Sequence, residues 1–223
     1  MRVRHAIVVA LLVLLALIHV SPFLGYLTDD TFIHLQFAKN LVAGRGFAFE
    51  AGHPTYGDTS PGWVLLLAAT GRFAPGAGDT PTEARSMPAL ATIAKAWGAL
   101  CLALSVLAMA RVGMRLGWGP RLALAAAALL ALHAWSARWA LSGMETPLAT
   151  LLVVLATGAT VRALLQGRGA LLAGIFLGLA TLVRPECWIL AALGVAAIAY
   201  GSTSRRLARG GAALAGVLLW GGP

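Results

Sequence analysis

From Ala6 to Val20 the chain carries no Asp, Glu, Lys or Arg, directly behind the basic stretch "MRVRH". A spanning helix needs about 20 mainly apolar residues, and further stretches qualify at Pro88 to Ala110, Arg121 to Leu141 and Pro147 to Leu165. Shorter ones follow at Ala170 to Val183 and Cys187 to Tyr200, and a last one opens at Gly211. No small-residue cleavage site follows Val20, which favours an uncleaved first helix over a signal peptide. Only 11% of the 223 residues are charged and 59% are hydrophobic, against about 25% charged in a soluble domain. The expectation is an all-α fold: one polytopic transmembrane bundle over residues 1–223, of about six or seven helices.

Charge placement orients such a bundle. With a cytoplasmic amino terminus, the inside loops hold Arg2, Arg4, Arg111, Arg115, Arg121, Arg162, Arg168, Arg205, Arg206 and Arg209, as the positive-inside rule requires. The other side receives every acidic residue: Asp29, Asp30, Glu50, Asp58, Asp79, Glu83, Glu145 and Glu186. The net charge of +9 is therefore a membrane-surface feature facing anionic lipid and not a nucleic-acid footprint. Cys101 and Cys187 have no metal-ligand spacing and read as buried free thiols.

The large outer loop, about residues 21 to 87, has room for structure outside the membrane. Ile33, Phe37 and Leu41 recur at helical spacing, with Gln36, Lys39 and Asn40 elsewhere on the wheel, which predicts a short amphipathic helix along the membrane surface. "GRGFAFEAGHPTYGDTSPGW" then reads as an ordered loop with interleaved aromatics. "PGWVLLLAATGRF" is too short to span and reads as interfacial or re-entrant.

Three motifs, in order and at their spacings, carry a family resemblance: "DDTFIHLQFAKNLVAGRGFAFEAGHPTYGDTSPGWVLLLA", "SGMETPLATLL" and "GLATLVRPE". Together they resemble the bacterial GT-C glycosyltransferases, most nearly the arabinofuranosyltransferase-like branch related to mannosyltransferases. The resemblance implies an enzyme of the bacterial cytoplasmic membrane that moves a sugar from a polyprenyl-phosphate donor to a glycan, lipid or protein acceptor on the outer face. It also implies a catalytic acid in the first outer loop, where Asp29 and Asp30 stand.

A carboxylate there can take the proton of the attacking hydroxyl, and a lipid phosphate leaves as a stable anion aided by cations. The alternative for "TDDT" is helix capping. Arg184 of "RPE" suits the carrier phosphate, against pairing with Glu186 or snorkelling to headgroups. Glu145 of "SGMET" contacts substrate or simply begins a helix ahead of Pro147. Lys39 and Arg138 are further phosphate candidates, or headgroup contacts. His34, four residues after Asp30, tunes that carboxylate or is a surface histidine.

No diagnostic metal-ligand set stands out, although some GT-C members use a divalent ion. The family often has Arg-Tyr where this chain has Gln36-Phe37, and Asn where Glu50 stands, so the donor sugar is left open. GT-C enzymes usually carry further helices, so a chain stopping at "LLWGGP" reads as an amino-terminal fragment. The other classes weighed are a multi-pass transporter, which charge-poor helix interiors disfavour, and a non-catalytic membrane scaffold.

Overall fold

A computed structural model describes residues 3–73 and 83–201, with Ala213 and Val217. The span expected from Gly211, and Asp79, lie outside the described residues apart from those two positions. The chain is a multi-pass helical membrane bundle. Among the described residues, three helices are long and apolar enough to cross a membrane: Val3–Phe23, Met87–Arg115 and Thr146–Gln166. The first consists of α1 (Val3–His19) and a 3-10 turn, Ser21–Phe23, and the second is the apolar part of α4 (Glu83–Arg115). Side chains such as Ile7, Leu11, Leu14 and Ile18 remain exposed on α1. In a bilayer that face meets lipid, where exposure of apolar groups carries no hydrophobic cost.

The expected span from Arg121 to Leu141 is built of two helices, α5 (Gly119–Leu132) and α6 (Ala134–Ala140), which together are apolar and long enough to span but are bent by 58° at their junction. Composition runs apolar through the break, but His133 leaves the helical conformation (φ −72°, ψ 115°) and its ring accepts the Ser136 N–H. A side chain that caps a new helix thereby ends the preceding one. Next come α7 (Thr146–Gln166), α8 (Ala170–Val183) and α9 (Cys187–Tyr200), the last two too short to span upright.

Close backbone approach holds the bundle where α4 meets α6. A Cβ added at Gly98 would stand 2.0 Å from the Ala140 carbonyl oxygen. In lipid, such contacts replace the hydrophobic drive that joins helices in water. Gly98→Ala is therefore expected to cost about 1–3 kcal/mol through forced separation of the two helices, read as a lower thermal midpoint in detergent. An unchanged midpoint would show that this contact is dispensable.

Between the first two spans lie α2 (Asp29–Val42), a hairpin of β1 (Ala48–Glu50) with β2 (His53–Pro54), and α3 (Pro61–Gly71). The strands pair antiparallel, Ala48 opposite Pro54 and Glu50 opposite His53. The amphipathic stripe expected on α2 is corrected as well. Ile33 is 38% exposed, whereas His34, Lys39 and Asn40 are buried with Leu35, Phe37 and Ala38. Polar groups tolerate the packed face because protein partners replace water. The Asn40 amide donates to the carbonyls of Ala48 and Phe49, at 2.8 and 2.9 Å, and its oxygen accepts from Arg45. Phe37 packs on Phe47 and Phe49, so α2 and the hairpin form one unit.

Candidate functional site

Residues 142–145, between α6 and α7, are clasped by the first loop. The Ser142 carbonyl accepts from the Thr31 hydroxyl at 2.6 Å and from the Thr28 N–H at 3.3 Å. The indole of Trp63, fully buried on α3, donates to the Gly143 carbonyl at 3.1 Å. Gly143 is at φ 83°, and a Cβ there would lie 2.4 Å from the Thr31 methyl, so only glycine fits this corner.

The clasp brings four charged side chains from separate segments into contact. His34, 4% exposed, places Nδ1 2.6 Å from Asp58 Oδ2 and Nε2 3.2 Å from Glu145 Oε2. The second contact lacks hydrogen-bond alignment, so it acts as an ion pair. Arg184 donates Nε to Glu145 Oε1 at 2.9 Å, with Nη2 at 2.8 Å from the same oxygen and 3.3 Å from the Thr146 hydroxyl. Asp58, His34, Glu145 and Arg184 thus alternate in sign along a buried chain that sums to zero charge. Its Arg184 end is the wet one, with 41% of that side chain exposed against 4% for Glu145.

Burial alone would lower the pKa of His34. The hydrogen bond with Asp58 and the negative charges of Asp58 and Glu145 overcome it and raise the pKa to about 9, so the ring is an imidazolium at neutral pH. Burial of Glu145 acts upward on its pKa, but His34 and Arg184 prevail and hold the carboxyl below the usual carboxylate range.

The His34 shift implies a pH dependence. A histidine whose pKa is raised on folding contributes stability that is complete below its unfolded value near 6.5 and is lost as pH rises through about 9. That contribution is about 3 kcal/mol at one pH unit per 1.36 kcal/mol. The thermal midpoint should fall between pH 6.5 and pH 9.5, and should fall much less in His34→Gln. Equal slopes in the two proteins would exclude His34 as the cause.

Several expectations change here. His34 is a buried ion-pair member and not a surface residue. Arg184 pairs with Glu145, not with Glu186, which is exposed at the start of α9. Glu145 does begin α7, its carbonyl accepting the Ala149 N–H, but its carboxylate is committed to His34 and Arg184. Lys39 is buried, at 3% exposure, within α2. Arg138 donates to the Tyr26 hydroxyl at 2.6 Å and stacks on Tyr26 and Trp135. Cys101 is buried and Cys187 half-buried, both free thiols.

Asp29 and Asp30 form the exposed first turn of α2, on the same helix as His34. The N-cap position belongs to Thr28, whose hydroxyl bonds Thr31 instead of a backbone N–H. Sequence reasoning missed Asp58. The signal was there in "GDTSPGW", where an acid precedes a helix opening on proline. Asp58 Oδ1 accepts the Ser60 N–H at 2.7 Å, leaving Oδ2 for His34.

Among the described residues no group of three or more His, Cys, Asp or Glu is arranged to hold a metal ion. Asp58 and Glu145 are both spent on the imidazolium, so the residues present do not fit a divalent ion there. No family model, curated protein or solved structure matches the chain.

Proposed function

We propose that the chain is the membrane domain of a GT-C-type glycosyltransferase, working on the outer face of a bacterial cytoplasmic membrane with its amino terminus in the cytoplasm. The donor is a sugar on polyprenyl phosphate, and the acceptor a hydroxyl of an envelope glycan, lipid or protein. One observation carries the reading: the "DD", "SGMET" and "RPE" segments meet at one end of the bundle, tied by Thr31 to Ser142 and by Glu145 to Arg184.

Asp29 or Asp30 accepts the proton of the acceptor hydroxyl as its oxygen forms a bond to the anomeric carbon. The anomeric carbon–oxygen bond to phosphate breaks, and its electron pair leaves on the phosphate. Arg184, with Nε and Nη2 engaged by Glu145 and Thr146, offers its exposed edge to that anion. Glu145 serves by aiming Arg184, and its charge is shared with His34, so the guanidinium is not neutralised outright.

The test is transfer of labelled sugar in membranes that contain the chain, alone or extended by any downstream coding sequence, and are supplied with polyprenyl-phosphate sugars. Labelled product above that of membranes lacking the chain supports the reading. No product from either form, across pentose and hexose donors, would overturn it.

A further inference from the structure

The opposite end of the bundle holds a second site. α7 is 21 residues long, so Arg162 and Gln166 stand roughly 25–30 Å from Glu145 at 1.5 Å per residue. A cavity of about 410 Å³ opens there between α4, α7 and α8. Its deep walls are apolar, with Val112, Leu155 and Phe176, while Arg115 of α4, Arg162 and Gln166 line it nearer the helix ends. Leu155 lies seven residues before Arg162 on α7, so the apolar lining runs about 10 Å below the guanidinium level.

The charge pattern is one-sided. Arg115 and Arg162 are exposed, and among the described residues the side chain that Arg162 bonds is the neutral Gln166, at 3.2 Å. No described residue forms a salt bridge with either arginine, and the described carboxylates whose side chains are placed belong to the Glu145 end of the bundle. Two cations from different helices above an apolar slot match an amphiphile with an anionic head and a hydrocarbon tail.

We infer that this cavity is a binding site for an anionic phospholipid, its phosphate between Arg115 and Arg162 and an acyl chain along Leu155 and Phe176. The site is independent of the proposed transfer reaction and shares no residue with the Glu145 corner.

The experiment is native mass spectrometry of the full chain, released from detergent with dioleoyl phosphatidylglycerol or dioleoyl phosphatidylcholine. Wild type should retain one phosphatidylglycerol at least tenfold more tightly than phosphatidylcholine. Arg115→Gln with Arg162→Gln should lose that preference, whereas Arg111→Gln with Arg121→Gln, which removes equal charge from the same end, should keep it within about twofold. Ala159→Trp keeps both arginines but fills the slot, and should also release the lipid. The inference is overturned by equal retention of the two lipids, by an equal fall in both arginine pairs, which marks a merely basic surface, or by unchanged retention in Ala159→Trp. Far-ultraviolet circular dichroism of each variant confirms the fold, and if the Arg115/Arg162 pair misfolds, Ala159→Trp and the lipid comparison decide alone.

Discussion

Asp29→Asn combined with Asp30→Asn is expected to lower sugar transfer by about 10²–10⁴-fold, the usual worth of a positioned general base. The same change should lower stability by no more than about 2 kcal/mol, at about 0.3–1 kcal/mol for each acid. Both carboxylates are exposed in the first turn of α2, where an acid is favourable toward the helix dipole. That contrast separates catalysis from capping, because a capping role would move stability and activity together. The single variants then divide the work. If one accounts for nearly the whole loss, that aspartate is the base and its neighbour tunes it; full transfer by the double variant would leave capping as the role of the pair.

The second large effect concerns Glu145. Glu145→Ala removes the anion shared by His34 and Arg184 and leaves two cations facing a cavity. Breaking a buried pair in this way costs about 3–5 kcal/mol. Glu145→Gln retains shape and hydrogen-bonding capacity and should cost less. The expected sign of the coupling is also specific. Once Glu145 is gone, His34 keeps its Asp58 partner, so His34→Gln should cost less in that background than in the wild type, one of the two carboxylates that hold the ring having already been removed. Denaturant unfolding in micelles measures both, and a cost below about 1 kcal/mol for Glu145→Ala would mean that the four charges do not act as a unit.

These contacts explain what the sequence could and could not reveal. Ala170–Val183 and Cys187–Tyr200 were legible to the residue, because glycine and "RPE" interrupt apolar runs. The break at His133 was not, because its cause is one side chain taking up the Ser136 N–H within an otherwise apolar run. The inner face of α2 was misread for a related reason. A helical wheel assumes that polar groups seek water, whereas His34 and Asn40 find Asp58, Glu145 and the hairpin carbonyls. Asp29, Asp30, Glu145 and Arg184 stood out as charges beside apolar segments, while Asp58 was hidden among turn residues. Pairing across 24 residues with His34 has no periodic signature.

The clasp also sets an order of events during synthesis. Thr31 and Ser142 are 111 residues apart, and Arg184 follows Glu145 by another 39. At about 5–20 residues per second, the first loop waits on the order of ten seconds before its partner corner emerges. Through that interval the imidazolium of His34 has one carboxylate where the finished protein gives it two, and Trp63 has no carbonyl to meet. The Glu145 end of the bundle is thus completed late, by the arrival of the fourth and fifth apolar segments, and a ribosome stalled before Arg184 would hold a membrane-inserted chain whose polar corner is still open.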